Sequence, residues 1–333
     1  MQAFEYARPS TLDQAVRLLA APGSIALAGG SDLLALMKDG VEAPRRVVAL
    51  GGIAPLRGIR LDAAGLAIGA LVTLDELSSH PEVRRQFKVV AEVASHVAGP
   101  QIRNVGTVVG NLCQRPRCWY FRRGYGLLPE QGGRSMVVEG DNRYHAILGN
   151  DGPAYFVHPS TLAPLLIALG ARLRVVGRGA AGAGGSGERL IDLEALYHTP
   201  RAAGESEHVL APGELVAEIL VPPLAGRLAW SYEVRQRQTL DWALASAAVV
   251  LSMKSGKVDT ARVVLGQVAP VPWRAQAAEE LLRGKVLDAA VARDAGEAAV
   301  RGARPLSQNH YKVQLARVAV KRSLLAAAGL QEA

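Results

Sequence analysis

Residues 26–38 read ALAGGSDLLALMK, and their reading decides the fold of the N-terminal region. SIALAGG (24–30) is a short apolar run ending in two glycines, which predicts a buried strand leading into a turn. The strand is expected to end at Ala28, with Gly29 and Gly30 as the turn. Ser31 and Asp32 then lead into a helix whose far end is marked by Lys38 and Gly40. The first amides of a helix have no intrahelical acceptor. With no Cβ on either glycine, a diphosphate can approach those amides closely. Asp32 is placed to cap the helix without touching phosphate. A tight strand-to-helix turn with no ligand is the alternative reading of this stretch alone.

Outward from that turn, TLDQAVRLLA (11–20) predicts a helix capped by Thr11. RRVVALGGI (45–53) and GLAIGALVTLDELSSH (65–80) predict strands and a short helix, and EVRRQFKVVAEVASHVAG (82–99) predicts one helix. PQIRNVGTVVGNL (100–112) reads as an extended stretch with turn glycines. Gly106, Thr107, Gly110 and Asn111 there form a second set of small or hydrogen-bonding groups. Two such loops in one domain, one carrying a helix start, point to a bound dinucleotide. Residues 115–153 are polar, glycine-rich and irregular, and a loop that long is functional or disordered. HPSTLAPLLIALGARLRVVG (158–177) predicts a helix then a strand, and GELVAEILVPP (213–223) a strand closed by prolines. LAWSYEVRQRQ (228–238) and residues 242–273 alternate in strand fashion around Ser255-Gly256, and three helical stretches follow from Arg274 to Gly329. Strands followed by helices predict a separate α+β C-terminal domain.

A G-x-G-x-x-G pattern falls at Gly177, Gly179 and Gly182, directly after a strand. That fingerprint works only where the third glycine opens a helix. Here the chain runs into GAGGSGER, so the stretch reads as a hairpin connection. The chain has 333 residues, 49% hydrophobic and 20% charged, as expected of a soluble α/β or α+β protein. Net charge is +8 without any nucleic-acid-binding motif, which fits an anionic cofactor or an acidic partner. No apolar run approaches the ~20 residues of a membrane span, and MQAFEYARPS has no leader pattern. His96, His145, His158, His198, His208 and His310 lack metal-ligand spacing with one another or with the cysteines. The two cysteines, Cys113 and Cys118, form no disulfide framework.

Read together, several of these stretches resemble one family. FEYARPSTLDQAVRLL, LAGGSDLLALMKDGVEAPRRVVAL, IRNVGTVVGNL, HPSTLAPLLIALGARLRVVG, LAPGELVAEILVP, YEVRQRQTLDWALASAAVVL and VLGQVAPVPWRAQAAEELLRG are similar to the FAD-binding medium subunits of molybdenum hydroxylases, the xanthine, aldehyde and carbon monoxide dehydrogenases. The resemblance covers nearly the whole chain in order. It implies an α+β protein with a vanillyl-alcohol-oxidase (PCMH)-type FAD-binding fold. Two α/β subdomains (1–57 and 58–225, with an inserted loop at about 113–155) would precede an α+β C-terminal domain of the carbon monoxide dehydrogenase flavoprotein type (226–333).

Carried onto this chain, the resemblance makes FAD the cofactor. Ala26, Leu27, Ala28, Gly29, Gly30, Ser31, Asp32 and Leu33 would wrap its pyrophosphate, and Thr107, Gly110 and Asn111 would form the second loop. Leu215 and Val216 would lie against the isoalloxazine, with Thr161 and Glu233 at further FAD positions. Three of these positions depart from the family pattern. Val109 stands where the second loop has a glycine, and its Cβ is expected to push the backbone off the cofactor. Thr161 stands where an aspartate is common, and Glu233, with Arg235 close by, where a lysine is common.

NLCQRPRCWYFRR (111–123) and GDNRYHAILG (140–149) resemble the branch with aldehyde-oxidising enzymes and the 4-hydroxybenzoyl-CoA reductase beta subunit, whose inserted loop carries a [4Fe–4S] cluster on four cysteines. Cys118 matches the first ligand and no cysteine follows it, so the loop is expected to persist without metal. The implied partners are a [2Fe–2S] small subunit, a molybdenum-cofactor large subunit and an external electron acceptor, with no nucleic acid and no membrane span. The implied function is electron transfer from the partner's clusters through FAD to that acceptor. A degenerate member with weak or no FAD, kept as an assembly or scaffold subunit, is the alternative. Localisation is expected to be cytoplasmic, or periplasmic on a partner's export signal.

Overall fold

In a computed structural model of the chain, which describes residues 1–177, 187–237 and 240–330, the helix expected after Thr11 forms as α1 (Leu12–Leu19). The Thr11 hydroxyl accepts from the Gln14 amide at 3.2 Å, and Ala15, Val16 and Leu19 turn inward. Strands β1 (Glu5–Ala7), β2 (Ser24–Leu27) and β3 (Arg46–Ala49) form a parallel sheet in the order β1-β3-β2, and α1 packs on β2 and β3. Between β2 and β3 runs α2 (Leu33–Lys38). β4 (Ile59–Asp62) and β5 (Gly65–Gly69) follow. A capping box between Thr73 and Glu76 then opens α3 (Leu74–Ser79).

The single helix expected over 82–99 is two, α4 (Pro81–Gln86) and α5 (Lys88–Ser95). Phe87 leaves helical geometry (φ −129, ψ 46) and is buried, so the chain breaks where its aromatic ring turns inward. Residues 100–112, expected to be extended, are helical twice, as α6 (Pro100–Arg103) and α7 (Val108–Leu112). Pro100 takes the first helical position, where its missing N–H costs nothing, and Thr107 caps α7 through the Gly110 amide at 3.0 Å. Of the glycines that read as turns, Gly110 is absorbed into α7, while Gly106 stays in the connection between the two helices.

The inserted segment contains a π-helical turn (Phe121–Tyr125), a small hairpin of β6 (Glu130–Gln131) and β7 (Arg134–Ser135), and α8 (Met136–Glu139). α9 (Leu162–Leu169) is buried at every position. β8 (Arg172–Gly177), β9 (Gly187–Asp192) and β10 (Leu215–Val221) join β4 and β5 in an antiparallel sheet ordered β4-β5-β10-β8-β9. Gly177 pairs with Gly187 across β8 and β9, as a hairpin connection requires; Gly179 and Gly182 lie outside the described residues.

β11 (Leu228–Val234), β12 (Ala245–Lys254), β13 (Lys257–Gly266) and β14 (Trp273–Arg274) make an antiparallel meander, turned at Ser255 and Gly256 where both φ are positive. α10 (Gln276–Leu282), α11 (Ala289–Ala299) and α12 (Tyr311–Ala327) follow, which gives the strands-then-helices order expected of the C-terminal region. Val249, Leu251, Val263 and Leu265 share a core with Ala295, Ala316 and Val320 of α11 and α12, while α9 packs on β12 and β13. Every residue from Ala245 to Leu251 is therefore buried.

The chain divides into two compact units. The first is Met1–Gln114, Gly170–Leu196 and His208–Pro223; the second is Arg115–Leu169, Tyr197–Glu207 and Leu224–Ala333.

Candidate cofactor site

In the first unit, β2 is half-buried at all four positions rather than buried, because it is an edge strand of its sheet. Ala26 and Leu27 lie on it, Ala28 is exposed, and Gly30 takes a left-handed φ of +76 that a residue with a Cβ resists. The Leu34 amide donates to the Gly30 carbonyl at 3.1 Å, so the helical turn already begins at Gly30. Asp32 therefore has helical geometry (φ −101, ψ −53), and its side chain makes no cap bond. The expected Asp32 cap does not form, because a capping side chain reaches back from extended backbone. Amides at the head of this turn precede the intrahelical ladder, which is the condition for phosphate contact.

The second loop is clasped to the first. A Cβ on Gly29 would overlap the Val105 carbonyl oxygen. A Cβ on Gly106 would lie 2.9 Å from the Ile102 carbonyl and 3.6 Å from the Ser31 hydroxyl. The loop is stitched in place by Leu74 N–H to Gly106 O at 2.9 Å and Val108 N–H to Val72 O at 2.8 Å. Thr107 and Asn111 are buried in this loop, and the Asn111 amide donates to the Thr107 carbonyl at 2.9 Å. Val109 packs its side chain against the core cluster of Ala15, Val16 and Leu19. Its side chain therefore contributes to the core of this unit.

α7 packs on β10, which carries Leu215 and Val216, both buried. Leu215 joins the same core cluster, and the register shifts between Val216 and Glu218. Leu34, Ile102 and Val105 line this part of the unit as apolar side chains 38%, 43% and 49% exposed. Sequence reading missed them, since isolated apolar residues carry no signal of their own. A glycine turn at a helix start, a second clasped loop and exposed apolar side chains fit a dinucleotide with a diphosphate and an apolar ring.

Thr161 and Glu233 belong to the second unit. Thr161 is half-buried just before α9, whose first turn is capped by Ser160 through the Ala163 amide at 3.0 Å. Glu233 is not a bare carboxylate: Arg235 Nη2 lies 2.8 Å from it, with the two side chains only 11% and 17% exposed.

Residues 2–224 match the family described as FAD binding domain in molybdopterin dehydrogenase, and residues 230–327 match the CO dehydrogenase flavoprotein C-terminal domain. The chain belongs to the FAD-binding medium subunits of the molybdenum hydroxylases. It is 33% identical to the aldehyde oxidoreductase FAD-binding subunit PaoB of Escherichia coli (strain K12), over 95% of this chain and 96% of that one. It is 30% identical to the carbon monoxide dehydrogenase medium chain of Hydrogenophaga pseudoflava, over 97% and 96%. Among solved structures, carbon monoxide dehydrogenase from Hydrogenophaga pseudoflava superposes with a TM-score of 0.76 at 29% identity, over 98% of both chains. Quinoline 2-oxidoreductase from Pseudomonas putida 86 gives 0.75 at 26%, also over 98% of both. The implied α+β fold and FAD cofactor are those of this medium-subunit family, and the chain is an oxidoreductase subunit.

The inserted segment of this medium subunit does not fit an iron–sulfur cluster. A cubane cluster takes four thiolates, and the chain has two cysteines. Among the described residues no three His, Cys, Asp or Glu side chains gather as a metal site. Cys118 Sγ lies 3.2 Å from His145 Nε2, and burial raises the thiol above its ordinary pKa. Burial, with the Lys312 charge, pushes His145 down to about 4. The pair is neutral, not a thiolate–imidazolium couple. Hydrogen bonds anchor the segment instead: Asn309 Nδ2 donates to His145 O at 3.1 Å, and the buried Lys312 ammonium donates to the carbonyls of Tyr144 (3.1 Å), His145 (3.1 Å) and Gln267 (2.7 Å).

No helix among the described residues is long and apolar enough to cross a membrane.

Proposed function

We propose that this chain is the electron-transfer flavoprotein of a heteromeric molybdenum hydroxylase, working between a [2Fe–2S] small subunit, a molybdenum-cofactor large subunit and an external acceptor such as NAD⁺, a quinone or oxygen. The observation that carries the reading is the backbone clasp between Gly29 and Val105, in a chain whose residues 2–224 and 230–327 match the two family domains. Ala26 to Leu33 would hold the diphosphate of FAD, with Thr107, Gly110 and Asn111 as the second contact and Leu215 and Val216 toward the ring. Thr161 and Glu233 are the further residues that the family resemblance assigns to the cofactor. Bound FAD supplies the redox chemistry; the chain supplies position and electrostatics. Substrate oxidation is left to the large subunit.

The proposed partition is 1–57 and 58–225 for the two FAD subdomains and 226–333 for the C-terminal domain. The two thiols are consistent with work in the cytoplasm, with export on a partner's signal as the other route. The scaffold reading, motivated by Val109, Thr161 and Glu233, is the alternative; the packing of Val109 on the core and the pairing of Glu233 with Arg235 favour the flavoprotein reading. Native mass spectrometry of the purified complex tests the proposal. The expected mass contains this chain, one FAD and two partners carrying iron–sulfur and molybdenum centres. A chain that purifies alone and takes up no FAD on reconstitution overturns it.

A further inference from the structure

The second unit carries a cavity of about 570 Å³ where α9 ends against β12, β13 and α10. Arg227, Arg262, Arg274 and Arg283 line it, with Glu279 and Glu280. Arg274 already binds Glu279, Nη2 to Oε2 at 2.9 Å, and Glu279 Oε1 also accepts the Val263 amide at 3.0 Å. Setting that pair aside leaves three guanidiniums facing one carboxylate.

Two of the three are pinned from behind. Arg262 Nη1 donates to the Ile167 carbonyl at 3.0 Å, and Arg227 Nη1 to the Leu169 carbonyl at 3.4 Å. Both carbonyls belong to the last turn of α9, the negative end of its dipole. The anchoring fixes two like charges beside each other. Burial and the nearby Arg262 charge hold the Arg227 guanidinium below its ordinary pKa. An anion in the cavity would relieve that repulsion. Arg262 uses one of its five N–H donors among the described residues, and Arg283, exposed at the rim, has no hydrogen bond or ion pair there.

We propose that this cavity binds a small phosphate-bearing anion, at a site separate from the FAD diphosphate turn. Its volume falls within the roughly 300–1,000 Å³ of small-ligand pockets. Guanidinium forks match phosphate oxygens in pairs. No aromatic side chain lines the cavity, so the anionic group is recognised and not a base.

Isothermal titration of the purified, FAD-loaded protein with inorganic pyrophosphate tests this. Saturable one-to-one binding is expected, weakened at least about tenfold by Arg283→Glu and by Arg262→Gln, with FAD content unchanged. Arg262→Gln also removes a bond to α9. Arg283→Glu, at a partner-free exposed position, decides the matter if that variant folds poorly. Equal pyrophosphate affinity in wild type and Arg283→Glu overturns the proposal. So does the absence of saturable binding, including the case where only an acidic segment of a partner subunit occupies the groove. Citrate is the second arm: tighter binding of citrate than of pyrophosphate overturns the phosphate assignment.

Discussion

The α-carbon of Gly29 lies so close to the Val105 carbonyl oxygen that no side chain fits between them. At this point the two loops of the candidate cofactor site meet main chain to main chain. Gly29→Ala must push them apart and tilt the amides that follow Gly30. FAD affinity is expected to fall at least about tenfold, because several charge-assisted amide contacts lose alignment together. Circular dichroism should show the fold retained, and fluorescence titration with FAD reads the loss. Unchanged affinity would mean that the clasp does not position the phosphate site.

Thr107 offers a milder change in the same place. Its hydroxyl accepts the Gly110 amide at 3.0 Å and starts α7. Thr107→Val keeps the shape and removes the cap, at a cost of about 1 kcal/mol. Thr107→Ser should restore both stability and FAD content. Urea unfolding and bound-flavin absorbance on the three proteins check this, and a serine variant no better than valine would refute the capping role.

Residues 24–38 form the expected strand, turn and helix while residues 100–112 do not form the expected extended stretch, and the reason is physical. Strand-then-turn at 24–30 and helix at 33–38 follow from apolar runs and paired glycines, which act locally. In 100–112 the extended reading gives way to Pro100 at a helix start, to the Thr107 cap that draws Gly110 into α7, and to the bonds that tie Gly106 and Val108 to residues 72–74. Those last bonds are tertiary and leave no mark in the local pattern. Asp32 fails to cap for a similar reason, since Gly30 starts the turn two residues early. The direction of Val109 was readable only in part: its apolar character favours the core, but the sequence does not show that the core lies on that side.

Glu233 and Arg235 give a test of charge. Glu233 lies on β11 and Arg235 just past its end, and the pair has little exposure. Arg235→Met leaves the carboxylate uncompensated and is expected to cost about 2 kcal/mol, below the figure for a fully buried pair. With the family assignment of Glu233 to the flavin, the bare charge should also lower the FAD midpoint potential. The double variant Glu233→Gln/Arg235→Met should return both stability and potential toward wild type. Spectroelectrochemistry and thermal melts on the three proteins report the two effects. A potential that stays constant across the set would remove Glu233 from the cofactor environment.

Lys312 sets a pH dependence. It is buried, holds three carbonyls, and burial pushes its pKa from 10.5 down to about 7. A base whose folded pKa lies below its unfolded value binds protons more readily when unfolded. Stability therefore rises as pH climbs from about 7 toward 10.5, and Lys312 contributes no slope below about 7. Its neighbours titrate in the fold outside this window, His145 at about 4 and Tyr311, raised by burial, at about 12. Lys312→Met removes the proton and orphans the Tyr144 and Gln267 carbonyls, the latter a pH-independent loss of about 1–3 kcal/mol per group. The difference in unfolding free energy between wild type and Lys312→Met should widen in favour of wild type between pH 7 and 9.5, at roughly 1.4 kcal/mol per pH unit at most. Urea unfolding at pH 6.5, 8 and 9.5 measures it. A difference that does not change across those three values would show that the ammonium keeps its proton in the fold, held there by the three carbonyls.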